Sequence, residues 1–298
     1  MSSPVNKNPA TPASDTVAEL QTWSAPDDIL AIATSSDPWS PAVTAAISLA
    51  ARWGSKLTSC YIEPSLRRAA DADLEPSVLG VLMQPRGEDG GERATFASHA
   101  HRMGVAEADW IVTHAGLAPT LRALGAWHDL AVLERDVVAG AHLFDMLSEA
   151  MSNSRLPCLL LPPRWSNELK LDRVVIGWNA TIEAVRAVHG ALPFLQAATE
   201  VLLVNGEKRN DDDDNDTNTL PPFDPLDYLQ RHHVAVSSRR IQVQPRDAGT
   251  ALLKAARSFE AQLLVMGSYS HSRLRQSILG GATQHVLAHA HIPLLMQH

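Results

Sequence analysis

The chain has 298 residues, of which 45% are hydrophobic and 19% charged, so it can bury a large core and wholesale disorder is excluded. It carries 25 basic and 33 acidic residues, and the formal net charge of −8 disfavours binding to nucleic acid or to an anionic membrane. No apolar run approaches the ~20 residues that cross a bilayer, and the first residues lack the apolar centre of a signal peptide, so we expect a cytoplasmic protein.

Residues 1–24 are rich in Ser, Pro, Thr, Asn and Ala and have little apolar periodicity, which predicts a flexible tail. The chain has two cysteines, Cys60 and Cys158, and each lies in an apolar run. We therefore predict buried core thiols of a reduced protein rather than a disulfide framework.

From residue 25 onward, short aliphatic runs alternate with helix-like stretches. A helix is predicted over 41–53, with Gly54 ending it, and residues 34–37 are expected to cap a helix. The runs predicted as strands in this first half are 28–34, 56–62, 110–115, 130–134 and 156–162.

The second half repeats this plan after a linker that begins at Pro162. Residues 179–181 are predicted to cap a helix, and a solvated loop is expected around 211–214, where four aspartates follow one another. The remaining helices are predicted near 224–232, 247–262 and 283–290. The predicted strands are 172–178, 199–205, 234–243, 262–267 and 292–296.

The offset between matching strands is 145 residues from Ile29 to Val174 and 133 residues from Ala131 to Leu264. Aliphatic strands that alternate with helices predict a mostly parallel sheet covered on both faces. The fold class is therefore predicted as α/β, with two tandem, doubly wound, five-stranded sheets. The domains are predicted at 25–163 and 171–298.

One loop has the composition of an anion-binding site. The strand at 262–267 ends in Gly267, a polar and basic loop follows, and Gly280 and Gly281 introduce the next helix. Glycine lets a backbone approach a phosphate closely, and a helix start offers free N–H groups. The alternative is a chain-reversing loop whose basic residues, His271, Arg273 and Arg275, face solvent or another subunit.

This loop resembles that of the universal stress proteins, whose nucleotide-binding members carry Gly, two residues, Gly, nine residues, Gly, then Ser or Thr after the fourth strand. The resemblance covers both halves from about residue 25 and is strongest over 262–298. It implies a fold similar to the adenine nucleotide alpha hydrolases and a site for ATP or AMP in the second half. The residues that it implies around the nucleotide are Asn179, Val204, Gly267, Ser270, Gly280, Gly281 and Ala282.

Three positions depart from the family pattern. The second glycine is Ser270, which would cost about 1 kcal/mol if the site requires a positive φ there. Gly281 stands where the family has a hydroxyl, although its N–H remains. Asn179 stands where the family has an aspartate, so it keeps a hydrogen-bond acceptor and loses the charge.

The first half lacks this pattern altogether. Glu134 stands where Gly267 falls, Arg135 and Asp136 follow, and the single Gly140 does not restore the motif. Carboxylates at a phosphate cradle are electrostatically unfavourable. We interpret this half as a degenerate copy that is kept for packing and for a partner surface.

The resemblance implies a stress-response protein that binds or signals. A weak ATPase or phosphotransferase using the 267–281 loop and a ligand-free interaction protein remain alternatives. No acidic metal ligand or general base stands out near the loop, which favours a protein that is not an enzyme. His285 and His289 have zinc-compatible spacing but no completing ligand nearby in sequence, so no metal is predicted.

Two further features bear on contacts. In the family the last strands commonly meet at a dimer contact, so the runs at 156–162 and 292–296 imply an intrachain pseudo-dimer or a homodimer; a protein partner is expected but not identified. Six of the seven tryptophans are predicted to fill the core and a contact between domains. These six are Trp23, Trp39, Trp53, Trp110, Trp127 and Trp165.

Overall fold

The computed structural model describes residues 25–62, 90–135, 137, 143–154, 156–207, 224–242, 244–268 and 281–298. These residues form a ten-stranded sheet with helices on both faces. The strands are β1 Asp28–Ala33, β2 Lys56–Ile62, β3 Ala108–Thr113, β4 Leu130–Glu134, β5 Cys158–Leu161, β6 Arg173–Trp178, β7 Glu200–Glu207, β8 Val236–Gln242, β9 Leu263–Gly267 and β10 Leu294–Gln297. The helices are α1 Pro41–Trp53, α2 Gly90–Arg102, α3 Leu117–Gly125, α4 Leu143–Ser154, α5 Ile182–Ala197, α6 Pro225–Arg231, α7 Ala248–Ser258 and α8 Gly281–His289.

The strand order is β3-β2-β1-β4-β5-β10-β9-β6-β7-β8. Pairing is parallel throughout each half. Along the sheet, the direction in which the strands follow one another in sequence reverses between β1 and β4 and again between β6 and β9. The register follows the predicted repeat, since Leu30 lies opposite Ala131 in one half and Val175 lies opposite Leu264 in the other. The predicted α/β, doubly wound class is confirmed.

The two halves share one continuous sheet instead of two separate ones. The junction is the antiparallel pair β5 and β10, in which Leu160 lies opposite Leu294 and Leu159 opposite Leu295. Both strands are short and apolar, and unpaired edges of this kind expose backbone donors and acceptors. Their pairing within the chain satisfies both edges at once.

Two apolar layers cover the sheet. Helices α1, α2, α5 and α6 lie on one face, and α3, α4, α7 and α8 lie on the other. On the first face, Trp53 of α1 meets Phe194 of α5 edge-on with ring centroids 4.9 Å apart, which joins the halves. The predicted core thiols are confirmed: Cys60 and Cys158 are fully buried, and burial raises the pKa of each to about 12.

The ends of α1 confirm one sequence prediction and correct another. Gly54 has a left-handed φ of 73°, and its N–H donates to the carbonyl of Ala50, so it ends the helix as predicted. The cap predicted at 34–37 is wrong, because α1 begins at Pro41 with Ser40 as its N-cap residue. Residues 34–40 instead form a longer loop, which leaves Thr34 available for another role.

Candidate functional site

The predicted site lies where β6 and β9 end side by side, at the point where the chain order of the second half reverses. In doubly wound sheets this crevice beyond the strand ends is the usual ligand position. Strand β6 runs into Asn179, and β9 ends at Gly267. Of the seven predicted residues, Asn179, Val204, Gly267, Gly281 and Ala282 are described, while Ser270 and Gly280 lie outside the described residues, as do His271, Arg273 and Arg275.

Asn179 is exposed and serves the turn that starts α5. Its Oδ1 accepts hydrogen bonds from the hydroxyl of Thr181 at 3.0 Å and from the N–H of Thr181 at 3.4 Å. The Thr181 hydroxyl in turn accepts from the N–H of Ala184 at 3.4 Å, which caps the helix as predicted. An aspartate at this position would make the same bonds and add a negative charge.

Gly267 packs against the first turn of α5. A Cβ built on this glycine would lie 2.6 Å from the backbone nitrogen of Ala184 and 2.7 Å from the carbonyl carbon of Glu183. These atoms are backbone and cannot move aside as a flexible side chain could. The glycine at this position is therefore required by the helix itself, a role that the sequence pattern alone did not indicate.

Two buried oxygens flank Gly267, and neither was among the predicted site residues. Glu183 is 5% exposed, Ser268 is fully buried, and neither the Glu183 Oε2 nor the Ser268 Oγ has a hydrogen-bond partner in the described part of the chain. A buried carboxylate oxygen without a partner is energetically costly, although the place of Glu183 in the first turn of a helix offsets part of that cost. The only sequence signal for Glu183 was an acidic residue two positions after a predicted cap.

The backbone of Ser268 is held tightly by the last strand. Its N–H donates to the carbonyl of Gln297 at 2.8 Å, and the Nδ1 of His298 lies 3.2 Å from the Ser268 carbonyl oxygen. A guanidinium nitrogen of Arg186 donates to the carbonyl of His298 at 3.2 Å. The exit from β9 is therefore fixed on one side by β10 and on the other by α5.

Val204 is 2% exposed, and its side chain belongs to the apolar layer under α7 and α8. It pairs with Gly177 of β6 and with Arg239 of β8. Because the residue is enclosed and its strand is paired on both sides, its side chain is not exposed to a ligand.

Helix α8 begins at Gly281, so Gly281 and Ala282 supply N–H groups that have no partner within the helix. Gly281 is exposed, and a Cβ built there would meet nothing within 4 Å. Gly249 of α7 lets the two helices meet, since its Cβ would lie 2.8 Å from the Ala282 carbonyl oxygen. The start of α8 is thus held in place by its packing against α7, and the exposed Gly281 takes no part in that contact.

The matching position in the first half is filled by a side chain. Glu134 ends β4 where Gly267 ends β9; it is 9% exposed and accepts a 2.8 Å hydrogen bond from the hydroxyl of Thr34. Thr34 itself corresponds to Asn179. The next residue, Arg135, is also buried, and Asp136 lies outside the described residues. In the first half a buried carboxylate, followed by a buried arginine, therefore stands at the strand end where the second half has glycine.

Neither a metal cluster nor a membrane span is found in the described residues. No group of three or more His, Cys, Asp or Glu side chains there is placed to hold an ion. His285 and His289 stack with ring centroids 4.3 Å apart, and the Thr250 hydroxyl lies 3.1 Å from the Nε2 of His285. None of the described helices combines the length and the apolarity that crossing a bilayer demands.

Comparison with known protein families gives a match for the second half of the chain. The model of the universal stress protein family matches residues 170–298. Among curated proteins, none matches the chain significantly.

Two solved structures resemble the chain over nearly its whole length. A universal stress protein from Archaeoglobus fulgidus has a TM-score of 0.58 at 13% identity, covering 90% of this chain and 95% of that one. A candidate universal stress protein from Pseudomonas aeruginosa has a TM-score of 0.60 at 11% identity, covering 92% of this chain and 94% of that one. At such low identity the likeness establishes the fold alone. Residues 170–298 thus match the universal stress protein family, and over nearly its whole length the chain has the fold of the two solved structures that it resembles.

Proposed function

We propose that the protein binds an adenine nucleotide, ATP or AMP, in its second half and acts as a stress-linked binding or signalling protein. The nucleotide would lie beyond the carboxyl ends of β6, β7 and β9. The first half would bind none and would serve as a packed scaffold and partner surface.

The contrast between Gly267 and Glu134 carries this proposal. At one strand end the residue is a glycine, and at the matching end it is a buried glutamate whose carboxylate accepts a hydrogen bond from Thr34. A carboxylate repels a phosphate group, whereas free helix N–H groups attract it. The two halves therefore differ in whether a carboxylate stands at the strand end, where it would repel a bound anion.

Donors for the phosphates would come from the start of α8, where Gly281 and Ala282 offer N–H groups. The loop residues Ser270 and Gly280 would complete the cradle. Asn179 and the backbone at Val204 would face the nucleoside. Because Asn179 is already engaged by Thr181, it would contribute polarity and shape without a net charge.

Isothermal titration calorimetry with ATP and with AMP tests this proposal, together with an assay of phosphate release. The informative variant is Gly281→Asp, because the site has room for a side chain and an aspartate suits a helix start. Gly281→Asn is the matched control, since it has the same size without the charge. We expect one nucleotide per chain, with the aspartate weakening binding about tenfold or more relative to the asparagine.

The outcomes separate the three functional classes. Binding without phosphate release supports the proposal. If phosphate is released and Gly281→Asp abolishes that release, the protein is an enzyme that uses the same loop. If neither nucleotide gives heat with the wild-type chain, the proposal is wrong and the ligand-free interaction protein takes its place.

A further inference from the structure

A cavity is lined by residues of α1 and of the segment before it, by the end of α2 and by the segment that joins the halves. Its volume is about 590 Å³, within the range of small-molecule sites. We call it the aromatic cleft and define it by its principal walls: Trp39, His99, Met103, Trp165, Glu168 and Leu169. None of these residues contributes to the proposed nucleotide site.

One wall of the aromatic cleft is a rigid aromatic assembly. Trp39 is half-buried and meets Phe96 and Trp110 edge-on, with ring centroids 5.5 and 5.2 Å away. The His99 ring lies 6.0 Å from Trp39 at an interplanar angle of 31°. Phe96 and Trp110 are core residues, so they fix the orientation of Trp39 while one of its sides borders the cleft.

Another part of the lining comes from the joining segment. Trp165 and Leu169 are half-buried and pack on the core, and they face the cavity that α1 borders. Met103, at the end of α2, is 56% exposed, and its flexible thioether adds adaptable apolar surface. Trp39 and Trp165, which were predicted to fill the core and a contact between domains, thus pack on the core with one part and line a cleft with another.

The charged and polar residues of the lining favour one class of aromatic ligand over others. Among the described residues that line the cavity, Glu168 is the only Asp, Glu, Lys or Arg, and the remaining polar lining comes from Ser, Thr, Asn and His. The whole chain also carries a net charge of −8. Indole faces attract cations, and a nearby carboxylate adds to that attraction.

From this geometry we infer that the aromatic cleft binds a small planar aromatic molecule that carries a positive charge. The ring lies between the indole walls of Trp39 and Trp165, and the charged group lies toward Glu168. This site is separate from the proposed nucleotide site, and the inference does not depend on it.

Tryptamine, an indole with a protonated amine, is a suitable probe for isothermal titration calorimetry, and indole-3-acetate is the same ring with an anion. The main variant is Trp165→Ala, and Trp127→Ala is its matched control because Trp127 is 80% exposed and lies outside the cleft. Ser48→Phe fills the cleft from an exposed position on α1 without removing a core contact. Glu168→Gln removes only the charge.

We expect tryptamine to bind the wild-type chain more tightly than indole-3-acetate does. Trp165→Ala and Ser48→Phe should weaken tryptamine binding ~10-fold or more, since each removes or occupies the stacking position. Glu168→Gln should weaken it about 3-fold, because the carboxylate is exposed and partly screened by solvent. Trp127→Ala should leave it unchanged.

Three results would overturn the inference: no heat from tryptamine at millimolar concentration, equal affinity in Ser48→Phe, or indole-3-acetate binding as tightly as tryptamine. Circular dichroism of each variant identifies unfolding, and Ser48→Phe decides the case if Trp165→Ala unfolds. Titration with ATP in the presence of saturating tryptamine distinguishes the two sites. If one ligand fails to bind, binding of the other can still be measured.

Discussion

The hydroxyl of Thr34 donates a 2.8 Å hydrogen bond to the carboxylate of Glu134, across the ends of β1 and β4. The corresponding residues in the second half are Asn179 and Gly267, which form no such pair because glycine has no side chain. One hydrogen bond thus links the ends of β1 and β4, whereas the residues at the matching ends of β6 and β9 form no such link. The divergence of the two halves rests on this exchange of a glycine for a buried acid.

Removing the donor of this pair should destabilise the first half. In Thr34→Val the buried Glu134 carboxylate loses its partner, and a hydrogen bond to a charged group contributes about 1.5–3 kcal/mol. We expect a loss of that size in the free energy of unfolding, measured by urea denaturation. Glu134→Gln keeps an acceptor and should lose less, and combining the two variants should give a coupling energy above zero. Additive losses would show that the pair does not contribute as a unit.

The packing of Gly267 against α5 predicts a large difference between two glycine substitutions. Gly267→Ala places a methyl group 2.6 Å from the Ala184 nitrogen, so the strand end and the helix must separate. Overpacking of this kind costs about 1–3 kcal/mol or more. Gly281→Ala meets open space and, at a helix start, should change stability by less than about 1 kcal/mol, in the stabilising direction. Thermal unfolding followed by circular dichroism compares the two, and equal melting temperatures would contradict the packing role.

Glu183→Gln should raise both stability and nucleotide affinity. The substitution removes a negative charge from a side chain that is buried and whose Oε2 has no hydrogen-bond partner among the described residues, while it preserves the size of the side chain. We expect a gain of about 1 kcal/mol in the free energy of unfolding, since burying an unpaired charge is costly. Weaker ATP binding in this variant would instead assign the carboxylate a favourable part in the site. Exposed Glu149→Gln serves as a control for the loss of one negative charge.

The contact between α5 and α6 should make stability depend on pH. The rings of His189 and Tyr228 stack 5.0 Å apart, and Tyr228 also meets His232 at 4.4 Å. Partial burial, and then repulsion from His232, lowers the pKa of His189 below its ordinary value of 6.5. The unfolded chain therefore binds a proton here at higher pH than the folded chain does. This contribution to stability is complete above pH 6.5 and is lost as the pH falls through the lower folded-state pKa.

Melting temperatures measured between pH 7.5 and 5 at intervals of about half a unit reveal this dependence. The wild-type chain should lose more stability over that interval than His189→Gln, whose side chain does not titrate. His291→Gln is the control, because His291 is exposed and lies on neither helix. Parallel curves for wild type and His189→Gln would show that this histidine does not couple to folding.

Much of the architecture follows from local pattern. The alternation of aliphatic runs with helical spacing predicted every strand of the sheet to within a few residues, and the offsets of 145 and 133 residues match the observed register. Gly54 and Thr181 were expected to end and to cap helices, and they do. These features depend on backbone conformation and on neighbours in sequence, which is why a linear pattern is enough to predict them.

What the sequence by itself determined is therefore the α/β class, the internal repeat and the loss of the glycine motif in the first half. Only the tertiary structure decided that β5 pairs with β10, that Gly267 makes room for α5, that Glu183 is enclosed, and that Trp127 is exposed while Trp39 and Trp165 line a cleft. The reason is physical: periodicity reports which side of an element is apolar, whereas burial and partnership depend on which distant element covers that side.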